Sequence, residues 1–145
     1  MKKFRNSDTI YVHREVLGYS FEKRPMEMVT FTSKQGITDK REPLIEGLFP
    51  ESNNDPSSRP YMFDKQTIFL SCRVHPGETP ASFVLEGILR FLTNEKSVQA
   101  RLLLDKFVFR IVPCLNPDGV ARGYYRLDTF GQNLNRYYLD PCPVK

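Results

Sequence analysis

The chain has 145 residues, which suits one domain, and its hydrophobic and charged fractions of 40% and 26% are those of an ordinary globular protein. No stretch approaches the roughly 20 apolar residues of a membrane span, and the charged N-terminus lacks the apolar segment of a secretory signal. The net charge of +4 comes from scattered Lys and Arg, which argues against a nucleic-acid-binding arm and leaves an acidic protein partner open.

Two strands around the polar turn "FEKRP" open the predicted fold. The second strand, residues 26–33, is rich in Val, Thr and Phe, which favour β-structure. Residues 34–66 are rich in proline and polar side chains and predict a long loop or insertion, with a short helical turn at "EPLIEGLF".

The next segment predicts a strand, helix and strand in succession. Residues 67–74 form an apolar, β-branched run that is typical of a strand buried on both faces. A helix follows, with Thr79 as its N-cap, Pro80 in its first turn, and an apolar face. That face contains Val84, Leu85, Ile88, Phe91 and Leu92. A second helix at 97–106 and a buried strand at 106–115 complete a right-handed crossover unit. The sequence therefore predicts an α/β fold with a mostly parallel sheet.

His75 and Glu78, in "HPGE", lie where the first of these buried strands runs into the helix. Open α/β sheets bind ligands at the carboxyl ends of their strands, and imidazole and carboxylate are ordinary Zn²⁺ ligands. The alternative is a turn histidine beside a first-turn glutamate that the helix dipole favours. A HxxE pair alone leaves both interpretations open.

A third metal ligand is not evident from the pattern. His13 lies at the edge of a predicted strand, Cys72 is expected in the core, and Cys114, near the end of the next strand, is a weak candidate. Cys72, Cys114 and Cys142 are the three cysteines of the chain, an odd number, and they have no CxxC spacing. We therefore expect reduced thiols and a cytosolic or nuclear setting.

Arg126, Asn135 and Arg136 follow the second buried strand, after the turn sequence "NPDG". Arginine binds planar carboxylates through two parallel hydrogen bonds and can steady a developing oxyanion. Taken singly, each of these residues is better explained as a solvated loop residue.

The motifs "HPGE", "NPDG", "YR" and "NLNR" occur in the order of the zinc metallocarboxypeptidase family, which this chain resembles. The flanking "SCRVHPGETPASFVLEGILRFL" and "GQNLNRYY" resemble the cytosolic carboxypeptidase branch. The upstream "YVHREVLGYS" and "REPLIEGLFP" are most similar to its type 5 subgroup, which is associated with tubulin deglutamylation. The resemblance covers roughly residues 10 to 142.

The resemblance implies a role for each residue of these motifs. His75 and Glu78 would bind Zn²⁺, Arg126 would polarise the scissile carbonyl, and Asn135 with Arg136 would hold the terminal carboxylate of the substrate. Asn133 stands where digestive relatives carry an aspartate that supports the zinc histidine. An amide oxygen can accept the same ring N–H with less electrostatic support.

The family pattern also implies that 1–145 is a partial catalytic domain, the front part of a three-layer α/β/α carboxypeptidase domain with a mixed, mostly parallel sheet. The third zinc histidine and the general-base glutamate would follow Lys145, and a β-rich domain would precede Met1. We therefore expect negligible peptidase activity from these residues alone.

The implied partners are glutamylated or acidic protein tails, with tubulin foremost, and neither nucleic acid nor a membrane. The expected location is cytoplasmic, with microtubule association or a nuclear location left open. The alternative is a non-catalytic fragment or short isoform that binds acidic tails through Arg126 and Arg136.

Overall fold

The computed structural model describes residues 7–52 and 55–141, so Cys142 lies outside the described residues. The strands are β1 (Ile10–Tyr19), β2 (Pro25–Ser33), β3 (Ile37–Arg41), β4 (Tyr61–Phe63), β5 (Gln66–Ser71) and β6 (Phe107–Val112), and the helices are α1 (Pro80–Leu92), α2 (Val98–Lys106) and α3 (Pro117–Ala121). None of the described helices has the length and apolar character needed to cross a bilayer.

Four strands form the main sheet in the order β1-β2-β6-β5. β5 and β6 are parallel, in register from Gln66 with Phe107 to Ser71 with Val112. The β1–β2 and β2–β6 pairs are antiparallel. The predicted α/β fold with a mixed sheet is confirmed. Parallel pairing among the described strands is nevertheless limited to β5 with β6. The short turn between β1 and β2 accounts for the antiparallel pairing of those two strands.

Helices α1 and α2 cover one face of this sheet. The core that they share with it contains Ile10, Phe31, Leu85, Leu92, Leu104, Phe109 and Ile111. The predicted apolar face of α1 is right for Leu85 and Leu92, whereas Val84 is 63% exposed. Thr79 is the N-cap residue and Pro80 opens α1, as predicted, although the Thr79 side chain makes no capping hydrogen bond. Burial on one side thus sets the orientation of α1.

β5 differs from the prediction of a strand buried on both faces. It is the edge strand of the described sheet and ends at Ser71. Ile68 and Leu70 pack toward the helices, but Phe69, which points to the opposite face by strand alternation, is 58% exposed. The apolar run therefore identified the strand correctly and its burial wrongly.

The segment predicted as a long loop, residues 34–66, contains a small antiparallel sheet of β3 and β4. The β3 sequence "ITDKR" is polar, which concealed it from pattern reading. The predicted helical turn at "EPLIEGLF" is wrong, because the structure has a simple turn there. Short 3₁₀ turns follow at Pro50–Ser52 and Pro56–Ser58.

This same segment covers the second face of the sheet. Phe49 packs on Met28 of β2 and Val112 of β6, and its backbone N–H donates to Leu17 O at 3.0 Å. Side chains on this face alternate with those that meet the helices. The layer opposite α1 and α2 is therefore built from this segment and not from helices.

Two ion pairs attach this layer to the sheet. Arg59, which is 0% exposed, pairs with Glu15 of β1, and Glu42 pairs with Arg110 of β6. The Arg59 guanidinium also lies 3.4 Å from the centroid of the Phe49 ring. Burial raises the pKa of Glu15, and the charges of Arg59 and Arg110 oppose that rise. Each buried charge thus depends on its partner.

We predict that Arg59→Ala lowers the free energy of unfolding by about 3–5 kcal/mol, because Glu15 would remain buried without its partner. Urea unfolding measures the loss. The matched control is Arg14→Ala in β1, which removes the exposed partner of Glu27 in β2 and should cost less than about 1 kcal/mol. Equal losses in the two variants would contradict the buried-pair assignment.

Candidate active site

The predicted metal pair lies in the turn between β5 and α1. His75 is 4% exposed, while the Glu78 side chain is 50% exposed. The Nδ1 atom of His75 and Oε1 of Glu78 are 2.9 Å apart. Arg73, in the left-handed region with φ of 59°, donates to Pro76 O at 3.1 and 2.5 Å and so closes the turn. The turn therefore brings the imidazole and the carboxylate together.

Asn133 holds the other side of the histidine ring. Its Oδ1 lies 2.9 Å from His75 Nε2 and also accepts the backbone N–H of Asn135 at 3.2 Å. Because a backbone N–H can only donate, the oxygen of the Asn133 amide faces the ring. His75 then donates its Nε2 hydrogen to Asn133, and its Nδ1 lone pair points toward Glu78. Two lone pairs converge there, which is the arrangement that a metal cation requires.

The donor set fits zinc chemically but is incomplete in the part of the chain that the structure describes. No group of three or more His, Cys, Asp or Glu side chains there could hold a metal ion. Cys114, the weak candidate for a third ligand, does not join the pair. Burial raises the pKa of both Cys72 and Cys114, which keeps them as thiols rather than thiolate ligands. His13 stacks on Tyr11 in β1, away from the pair.

Arg126 is brought to the same turn. Its Nη1 lies 3.6 Å from Glu78 Oε1, and its side chain is 43% exposed. Arg126 also lines an open cleft of about 540 Å³ formed by residues 124–129 and Gly131. A half-exposed guanidinium beside a cleft can reach a ligand, as the predicted role requires.

The Arg126 loop makes a close contact at Gly77 with the turn that carries His75 and Glu78 (the metal turn). The Gly77 N–H donates to Tyr125 O at 2.8 Å. A Cβ at residue 77 would lie 2.7 Å from Tyr125 Cδ2 and 2.8 Å from its carbonyl oxygen. Only glycine permits this approach, which gives the glycine of "HPGE" its physical reason.

Asn135 and Arg136 lie in a 3₁₀ turn at Leu134–Arg136 that Asn133 caps. Arg136 is exposed, and its Nη1 donates to Asn135 O at 3.2 Å. Among the described residues no carboxylate forms an ion pair with Arg136. Asn133 connects this turn to the metal pair, so the six predicted residues belong to one region, with Arg136 at its exposed end.

The "NPDG" turn carries more of the site than its sequence indicated. Asp118 is buried and accepts from Ser20 Oγ at 2.6 Å, Glu22 N at 2.9 Å and Arg24 Nη1 at 2.8 Å. Burial acts to raise the pKa of Asp118, but these hydrogen bonds outweigh it and hold the pKa below its usual value. A Cβ at Gly119 would lie 2.4 Å from Pro76 Cγ. The "NPDG" sequence predicted a turn, but it did not indicate the contacts with Ser20, Glu22, Arg24 and Pro76, which are distant in the chain.

We predict that Gly77→Ala lowers the free energy of unfolding by about 1–3 kcal/mol, because its Cβ would overlap Tyr125. Thermal unfolding measures the change. The control is Gly87→Ala in α1, where a Cβ meets nothing within 4 Å and alanine favours the helix. Destabilisation of both variants to the same degree would refute the close-approach argument.

We also predict that Asn133→Ala weakens zinc binding about 10- to 100-fold, since the His75 ring loses the partner that orients it. Competition with a chromogenic chelator measures the dissociation constant in the complete protein. Asn133→Asp, which keeps an acceptor and adds a charge, should bind zinc at least as tightly as the original. Unchanged affinity in Asn133→Ala is the contrary result.

Known proteins give an independent comparison. The zinc carboxypeptidase family profile matches residues 1–141. The chain is 50% identical over 138 residues to human cytosolic carboxypeptidase-like protein 5, covering 94% of this chain and 15% of that protein. It is 38% identical to human cytosolic carboxypeptidase 6 over 139 residues, covering 96% of this chain and 23% of that protein.

The fold comparison agrees. A metallo-carboxypeptidase from Burkholderia cenocepacia superimposes with a TM-score of 0.66 at 28% identity, over 97% of this chain and 31% of that structure. The chain thus spans a small part of the length of its relatives. Since the family profile nonetheless extends over almost all of it, this chain belongs to the zinc carboxypeptidase family.

Proposed function

We propose that the complete protein is a zinc-dependent carboxypeptidase that removes C-terminal or branch-point glutamates from proteins such as tubulin. The observation that supports this most is the convergence of His75, Glu78 and Arg126 in one turn region, with Asn133 orienting the histidine. The similarity to human cytosolic carboxypeptidase-like protein 5 points to the same branch of the family.

The residues of this chain divide the work between metal and substrate. His75 and Glu78 would hold zinc, which supplies Lewis-acid polarisation and an activated water when bound. Glu78, as a ligand, is not the general base. Arg126 would donate to the scissile carbonyl oxygen and stabilise its developing charge. Asn135 and Arg136 would hold the terminal carboxylate and so confine cleavage to a chain end.

A preference for glutamate is supported by charge. The chain carries a net charge of +4, and the Arg136 guanidinium has no carboxylate partner among the residues that the structure describes. An exposed, uncompensated guanidinium attracts acidic chains at long range. Glutamylated tails, with tubulin foremost, are the substrates we propose, and the cytoplasm, where microtubules lie, is the proposed location.

A second candidate is a non-catalytic module that binds acidic tails through Arg126 and Arg136. The incomplete ligand set among the described residues favours it, because catalytic zinc sites generally use three protein ligands and a water. The two proposals differ in their need for metal: release of glutamate requires zinc, whereas binding of a tail does not.

The test uses a peptide with a polyglutamate C-terminus and follows free glutamate. We expect the complete protein to release glutamate, o-phenanthroline to abolish release, and residues 1–145 alone to release almost none. Arg136→Ala should lower kcat/KM about 10- to 150-fold, the loss expected for about 1.5–3 kcal/mol of charged hydrogen bonding.

Arg101→Ala is the matched control, because it removes the same charge from an exposed position in α2. It should leave kcat/KM unchanged. Chelator-resistant peptide binding that Arg136→Ala abolishes, without glutamate release, would instead establish the binding module.

A further inference from the structure

We propose that Asn116 is a positioning residue that joins the two halves of the active site, the turn carrying His75 and the loop carrying Arg126. The proposal rests on the function proposed above for its effect on catalysis. Its effect on the metal turn is independent of the substrate. Asn116 is the first residue of "NPDG", for which the sequence alone predicts only a turn.

Three hydrogen bonds from one buried amide make the connection. Asn116 is 3% exposed. Its Nδ2 donates to Val74 O and to Leu127 O, each at 3.3 Å. Its Oδ1 accepts the N–H of Gly119 at 2.9 Å and so caps α3. Val74 directly precedes the metal histidine, and Leu127 directly follows the site arginine.

These contacts hold Arg126 from both sides along the chain. The carbonyl before it, Tyr125 O, accepts the Gly77 N–H at 2.8 Å. The carbonyl after it, Leu127 O, accepts the Asn116 amide. One contact starts in the metal turn and the other in the turn that follows β6. The backbone of Arg126 is therefore fixed relative to His75 without any direct contact between the two side chains.

Asparagine is the residue type that this junction requires. Two carbonyl oxygens need two donors, and the α3 N-terminus needs an acceptor, which is what one carboxamide supplies. Aspartate would keep the cap but turn a carboxylate oxygen toward two carbonyl oxygens. Serine would keep the cap as well and could donate to one carbonyl at most.

The test compares Asn116→Asp with Asn94→Asp in the complete protein. Asn94 is exposed, and its Oδ1 accepts the Lys96 N–H at 3.1 Å, a bond that aspartate retains. Asn116→Ser is the second variant, since it adds no buried charge and keeps the fold if Asn116→Asp does not. Zinc affinity, kcat, KM, thermal unfolding and amide exchange at Gly77 are measured for each.

We expect Asn116→Asp to lower kcat about 100-fold, the loss typical of a misplaced catalytic group, with KM within about threefold. We expect zinc binding to weaken about tenfold and the Gly77 amide to exchange faster. Asn116→Ser should show smaller changes in the same direction. In an Arg126→Ala background the loss in kcat from Asn116→Asp should shrink to about tenfold or less, because part of its target is gone.

Unchanged zinc affinity and Gly77 exchange in both Asn116 variants would overturn the proposal. So would an equal fall in kcat with Asn94→Asp. If the unaltered protein releases no glutamate, the proposed function fails, but metal affinity and Gly77 exchange still decide the role of Asn116. The two failures are therefore separable.

Discussion

Parallel pairing of β5 with β6 is the constraint on which the site depends. Parallel strands end at the same edge of a sheet, so the turns that follow them are neighbours. Here the pairing continues past both strands, through Cys72 N to Val112 O at 3.0 Å and Leu115 N to Cys72 O at 2.9 Å. Asn116 N then donates to Arg73 O at 3.1 Å. Backbone hydrogen bonds thus hold the metal turn against the "NPDG" turn even without the contribution of side chains.

Sequence patterns predicted the elements that local chemistry specifies. The β1–β2 hairpin, α1, α2 and β6 are all found, because apolar periodicity, Pro80 and the polar turn act over a few residues. The proximity of His75 and Glu78 also followed from one turn. The contact of His75 with Asn133, 58 positions away, was predicted only through resemblance to a family, since no local pattern encodes it.

The rest was hidden because it depends on long-range partners. The burial of Arg59 reverses the usual expectation for an arginine, and Glu15, 44 positions away, makes it possible. Phe49 is buried in the second layer because it packs on Met28 and Val112, which its neighbours in the sequence do not indicate. A long loop that supplies a layer needs such anchors, and a sequence window contains only one member of each pair.

Asp118 extends the same logic to the β1–β2 hairpin. Its carboxylate accepts three hydrogen bonds from Ser20, Glu22 and Arg24. These bonds lower the pKa of Asp118 by more than its burial raises it. The hairpin is thereby attached to α3, whose N-cap Asn116 contacts both loops of the site. A buried carboxylate costs free energy unless it is satisfied. The hairpin satisfies the Asp118 carboxylate, so the β1–β2 end of the sheet supports the candidate active site through the "NPDG" turn.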